Sequence, residues 1–163
     1  MKTVRFLGMT LLMVLCAVNF TACDNDDEVT LDLNSLEGTW ILVNSKGWET
    51  SSTGSGEKRE WNVTFNPDNF TGGNPDDAIG GSQRVIIEKI SENKYSFIYG
   101  EYTGHDWYQE AMKIAHINGQ NIIFENDIYN TSIEYLNNDK LVVKNSYSQG
   151  YFSTEYTNTY IKR

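Results

Sequence analysis

From residue 84 to residue 162 the chain is a succession of short runs in which apolar and polar residues alternate, each closed by a turn-forming pair or triplet. Alternation sends successive side chains to opposite faces of an extended strand, so one face of each run can be buried while the other stays wet. Residues 84–90 and 94–99 flank Ser91-Glu92-Asn93, and residues 111–117 and 121–125 flank Asn118-Gly119, a strong hairpin signal. Tyr129, Thr131, Ile133 and Tyr135 share a face of the next run. Asn137-Asn138-Asp139 then turns into residues 140–148, and Gln149-Gly150 turns into residues 151–162. No stretch beyond residue 22 sustains a 3.6-residue apolar period, so the fold class is all-β. Connections this short predict antiparallel neighbours, about eight to ten strands in all. An up-and-down β-barrel of about eight strands removes the exposed edges such a meander would leave. A β-sandwich fits the same periodicity and is the alternative.

The meander needs a first strand, and Leu36-Glu37-Gly38-Thr39-Trp40 leads into one over residues 39–44. Gly38 suits a chain turning sharply into a strand, and Trp40 supplies the largest single apolar surface with which to seed a core. Residues 47–58, rich in Gly, Ser and Thr with Trp48 among them, read as a mobile loop. Residues 59–65 alternate, with Trp61, Val63 and Phe65 on one face. A small internal repeat follows, Asn66-Pro67-Asp68 to Gly72-Gly73 and Asn74-Pro75-Asp76-Asp77 to Gly80-Gly81, which reads as two consecutive turns. Asp68, Asp76 and Asp77 offer oxygens to a Ca²⁺ ion, but a cation of that kind wants six to eight ligands, and a solvated loop is the preferred reading. In the last strand Phe152, Thr154, Tyr156, Asn158 and Tyr160 share a face. The opposite face is more polar still, so the aromatic face is expected to point inward.

The first 22 residues carry an address. Lys2 and Arg5 precede an apolar run over residues 6–18, too short to span a bilayer and suited to a signal peptide. Phe20-Thr21-Ala22-Cys23 resembles the lipobox of bacterial lipoproteins, which implies a signal peptide over residues 1–22 and lipidation of Cys23. An ordinary secretory signal with an incidental cysteine is the alternative. Asp24-Asn25-Asp26-Asp27-Glu28 is a self-repelling run that reads as a tether, giving a 23–35 segment of lipidated cysteine and acidic linker. It is similar to the acidic sorting signal of Bacteroidota-type surface lipoproteins. The resemblance implies an outer-membrane, lipid-anchored protein exposed at the cell surface, its membrane partner reached through the anchor.

With Cys16 in the signal and Cys23 acylated, neither cysteine of the chain is left for a disulfide or a catalytic thiol. Taking Lys2 and Arg5 from the 13 basic residues leaves 11 against 22 acidic ones, a net −11 for the processed chain. That balance opposes nucleic-acid binding, which rests on phosphate neutralisation.

Signal, lipobox, acidic tether, the Leu36-Glu37-Gly38-Thr39-Trp40 start and a meander ending in Tyr160-Ile161-Lys162-Arg163 together resemble the bacterial lipocalin-like lipoproteins. The resemblance covers most of residues 36–163, the expected barrel domain. It implies that Gly38 and Trp40 form the structural motif in which the tryptophan plugs the closed end of an eight-stranded barrel. It also implies that a basic residue of the last strand, Lys162 or Arg163, packs over that ring.

Chemistry-bearing motifs are scarce. His105 lies in an expected loop and His116 in a strand, and neither sits in a metal-ligand spacing, a nucleophile elbow or a phosphate loop. The chain reads as a non-enzyme with no catalytic residues, no metal site and no cofactor. Binding fits better, because small barrels hold partly apolar ligands in or at their mouths. The candidate ligand-binding residues are Trp48, His105, Trp107, Tyr108 and Tyr156. The partner is expected to be a small molecule. The alternative is an interaction module in which the loops 47–58, 66–82 and 100–110 contact a surface protein or a glycan.

Overall fold

The computed structural model describes residues 31–50, 56–70, 84–103 and 105–163. The signal peptide, Cys23, the acidic run, Asp76 and Asp77 lie outside the described residues. Residues 31–163 form one compact unit.

Leu33–Ser35 make a single 3-10 turn, capped by the Asp32 carboxylate, which accepts from the Asn34 amide at 3.1 Å. Gly38 then opens the first strand, β1 (Gly38–Thr50), and β2 (Lys58–Thr64) returns along its second half. The meander follows as β3 (Arg84–Ser91), β4 (Lys94–Tyr102), β5 (Trp107–Asn118), β6 (Asn121–Phe124), β7 (Asn130–Leu136), β8 (Lys140–Gln149) and β9 (Phe152–Lys162). All pairings between these strands are antiparallel, and β9 closes onto β1. The ring β1-β3-β4-β5-β6-β7-β8-β9 is a closed eight-stranded barrel, and β2 is one extra strand beside it. The sandwich alternative is thereby excluded.

Turn chemistry follows the sequence closely. The β5–β6 loop is Gly119-Gln120, with Asn118 and Asn121 paired across it, and Gly119 takes φ +57° where glycine is favoured. Asn93 and Gly150 take the same left-handed region in their own two-residue loops.

Two expected loops are partly strand. Residues 47–50 continue β1, and only 103–106 separate β4 from β5, so the stretch 100–110 is largely paired backbone. The reason for the first is Gly47. A Cβ there would lie 2.4 Å from the Tyr156 Cβ and 2.5 Å from the Glu155 carbonyl oxygen. Gly47 is a point of close strand approach inside the sheet, which composition alone does not distinguish from a loop glycine.

Two bulges set which residues face the barrel interior. Between Leu42 and Asn44 the β1–β9 register slips by one residue, so the inward set passes from Trp40 and Leu42 to Ser45 and Gly47. A second slip at Tyr99/Gly100 leaves Ala111 inward and turns Trp107 outward.

The core is densest at the closed end. Trp40 is fully buried, and its indole N–H donates to the Leu36 carbonyl at 2.8 Å. Lys162 is paired with Trp40 in the β1–β9 register and holds its ammonium 5.0 Å from the ring centroid, while donating to the Ser35 carbonyl at 2.8 Å. Gly38, at φ +136°, leaves room for that side chain, because a Cβ would come within 2.6 Å of the Lys162 Cε. Arg163 turns instead to Asp68, at 2.5 Å on the surface. Of the two basic residues the sequence left open, Lys162 covers the tryptophan.

Removing the Trp40 side chain empties a large core site, and Trp40→Ala is expected to lower the unfolding free energy by about 3–5 kcal/mol. Lys162→Met should cost about 1–2 kcal/mol through the lost hydrogen bond and ring contact, and Arg163→Ala less than about 0.5 kcal/mol. Urea melts of the three variants check the order. An Arg163 effect equal to that of Lys162 would contradict this account of the floor.

Candidate functional site

Above the floor the inward side chains do not fill the barrel. A cavity of about 260 Å³ remains, walled by apolar residues such as Val85, Ile87, Phe97, Phe124, Leu141 and Val143. Phe97 and Phe124 meet edge to face at 5.0 Å between centroids, which fixes one wall. The opposite side comes from β8 and β9, where alternation turns Asn145, Tyr156, Asn158 and Tyr160 inward.

The lining is mixed, through alternation along the strands and through the β6–β7 connection. On β5 the inward series Ala111, Lys113, Ala115, Ile117 carries one charge, and Lys113 is met by Asp127 from the β6–β7 connection, Nζ to Oδ2 2.7 Å. The Asp127 carboxylate also accepts the amides of Ile128 at 2.8 Å and Tyr129 at 3.1 Å, which holds that connection in a tight turn. Burial pushes the Asp127 carboxyl up, but the hydrogen bonds from Lys113 and the two amides, with the Lys113 charge, outweigh it and hold the group below the usual carboxylate range. Lys113 and Asp127 therefore face the cavity as a neutralised pair.

Toward the end opposite Trp40, aromatic rings make a continuous chain. Trp61 of β2 lies 6.2 Å from Tyr156, Tyr156 lies 6.2 Å from Tyr129, and Tyr129 lies 5.5 Å from Tyr147. Gly47 sits between Trp61 and Tyr156 in the register of both flanking strands, so its missing side chain lets the two rings approach. The indole N–H of Trp61 donates to the buried Ser45 hydroxyl at 3.2 Å.

Some of the polar groups inside are partnered by neighbours. Thr131 donates to the Asn145 side-chain oxygen at 3.0 Å, and the Asn158 amide nitrogen donates to the Tyr160 hydroxyl at 3.2 Å. The Asn158 Oδ1 is buried with no protein donor among the described residues, and Asn158 lines the cavity. An unmet buried acceptor costs about 1–3 kcal/mol, so its presence in a native interior calls for an account.

Of the five candidate ligand-binding residues, Tyr156 lines this cavity. Trp48 pairs with Glu155 and Glu60 on the outer face, under the Lys58 ammonium at 5.1 Å. Trp107 packs on the outer wall against Phe70, centroids 4.6 Å apart, with the Arg84 guanidinium 4.2 Å from its ring. Tyr108, 64% exposed, and His105 stand at the β4–β5 end of the barrel, away from the lining. Asp68, once a candidate calcium ligand, is engaged by Arg163. Sequence reasoning missed Lys113, Asp127, Tyr129 and Asn158 as a group. The readable signal was Lys113, a charge standing in the inward apolar series of β5.

No protein-family model matches the sequence, and no curated protein matches it either. Solved structures do. The chain is similar to the bovine lipocalin allergen Bos d 2 over 82% of this chain and 76% of that one, at 14% identity and a TM-score of 0.51. It also matches apocrustacyanin C1, at 12% identity over 84% of this chain and 66% of that one, TM-score 0.49. A complex of bovine odorant-binding protein with undecanal matches at 14% identity, 82% and 74% coverage and a TM-score of 0.45. At such identities the Bos d 2 likeness is one of fold, and the fold is lipocalin-like.

Three cavity phenols give the site a pH signature. Burial raises the hydroxyls of Tyr99 and Tyr156, and raises Tyr160 to about 12 against a partly opposing hydrogen bond from Asn158. The unfolded chain releases these protons near pH 10, so their contribution to stability is full below that pH and is lost as pH rises toward 12. Tyr160 alone should steepen the loss by up to about 1.4 kcal/mol per pH unit in that window. Urea unfolding from pH 9 to 12 measures the slope, and Tyr160→Phe should flatten it. An unchanged slope would mean Tyr160 ionises freely in the folded barrel.

Proposed function

We propose that this chain is a membrane-anchored, lipocalin-like lipoprotein whose barrel binds a small, partly apolar molecule. The observation that carries the reading is the interior cavity of about 260 Å³, apolar along most of its wall and furnished with a few fixed polar groups. Ligand sites in proteins have this composition, since apolar walls supply affinity and a few polar atoms fix orientation. No catalytic role is assigned, and the polar groups serve recognition. The alternative of an interaction module through the loops 47–58, 66–82 and 100–110 is favoured less, because most of 100–110 is strand.

The anchor is part of the same reading and rests on the sequence. Cys23 stands 13 positions before Leu36, behind an acidic run, and would hold the barrel to the outer membrane at the cell surface. Two or three acyl chains on one residue give durable attachment where a single chain does not.

Native mass spectrometry of the protein purified from its own host is expected to find a bound small molecule. Ala111→Trp, which fills the cavity from β5, should lose it while keeping the β-sheet circular dichroism spectrum. Protein that carries nothing, or a variant that retains the molecule, would contradict the cavity reading. Metabolic labelling with an alkyne fatty acid should mark the wild type and not Cys23→Ser. An unlabelled wild type would contradict the anchor.

A further inference from the structure

A buried acceptor without a protein donor in the cavity lining narrows the ligand it suits, an inference that rests on the cavity reading just proposed. Asn158 is 9% exposed and lines the cavity, and its Oδ1 is buried with no protein donor among the described residues. The other edge of the amide is tied down, because Nδ2 donates to Tyr160 at 3.2 Å. The carbonyl oxygen is thus the atom of this amide left without a partner, beside a Tyr160 that is itself buried. A ligand that offers an N–H or O–H there completes the amide, and one that offers only an acceptor or apolar atoms does not.

Charge narrows the class further. The charged groups lining the cavity are Lys113 and Asp127, and they satisfy each other at 2.7 Å. A carboxylate brought inside would leave water for a site with no free counter-charge, and its oxygens would face the Asn158 carbonyl oxygen. Val143, the register partner of Asn158, stands beside it, and the edge-to-face Phe97 and Phe124 rings form the facing wall. These suit a compact ring system better than they suit a second polar group.

We infer that the barrel selects small, uncharged, ring-bearing molecules that carry a hydrogen-bond donor, such as a hydroxyl or an amide N–H, and that Asn158 Oδ1 is the residue atom that reads it. Carboxylates of the same skeleton are disfavoured.

Isothermal titration of the purified full-length protein with 2-naphthol, naphthalene and 2-naphthoate tests this at neutral pH. The three share a ring system and differ in offering a donor, nothing, or an anion. 2-Naphthol is expected to bind about ten-fold more tightly than naphthalene, the range of one net hydrogen bond, and more tightly than 2-naphthoate. In Asn158→Leu, which keeps the volume and removes the acceptor, the 2-naphthol preference over naphthalene should fall to about one. Equal wild-type affinities for 2-naphthol and naphthalene, tighter binding of 2-naphthoate, or a preference that survives in N158L would overturn the assignment and leave the cavity reading standing. The wild-type ratio decides the matter even should N158L fail to fold. No binding by any of the three would overturn the cavity reading itself.

Discussion

The barrel depends on how its two ends of chain meet at the floor. Trp40 from the first strand and Lys162 from the last are register partners, and each needs the other's geometry. The indole is oriented by its hydrogen bond to Leu36, and the ammonium is oriented by the Ser35 carbonyl beneath it. Gly38 is the residue that allows this, since a side chain at its φ of +136° would be strained and would strike Lys162. A meander of antiparallel strands has a raw edge at its first and last strands, and here those edges of β1 and β9 are spent on each other. Closure and core are the same event in this fold.

Closing one end leaves the other free to be hollow. The floor packs Leu36, Trp40, Leu42 and Ile87 to near-zero exposure. Above them several inward side chains are small or polar, as with Ala111, Thr131 and Asn145. Space is left beside them. The extra strand β2 then adds Trp61 to the aromatic chain over the space, a position it reaches because Gly47 has no side chain in the way. Some of the polar atoms inside are satisfied locally, as with Lys113 and Asp127, and Asn158 Oδ1 is not.

Much of the fold was legible in the sequence because it is written in period two. The strand runs, the hairpin at Asn118-Gly119 and the inward face of Tyr156, Asn158 and Tyr160 follow from alternation and turn chemistry alone. What was not legible came from one-residue slips and long-range partners. Counting by twos from Trp40 puts Trp48 inside, but the slip between Leu42 and Asn44 reverses the parity and sends it out. The same logic turns Trp107 from the inward series of β5 to the outer wall, where Arg84 and Phe70 receive it. Bulges leave little trace in a single sequence, so loop aromatics look like rim residues when they are cladding. The choice between Lys162 and Arg163 needed the β1–β9 register, and the pairing of Lys113 with Asp127 needed the β5–β6–β7 path. Gly47 reads as loop until the neighbouring strand shows what a Cβ would hit.

The central claim is that the barrel interior is a built binding space and not a packing remnant. A high-resolution crystal structure of the protein purified from its own host addresses it most directly. The account predicts density for a non-protein molecule between the Phe97–Phe124 wall and the Asn158–Tyr160 side, with a donor atom within hydrogen-bond distance of Asn158 Oδ1. An interior filled by the chain's own side chains, with Asn158 Oδ1 bonded to one of them, would contradict it.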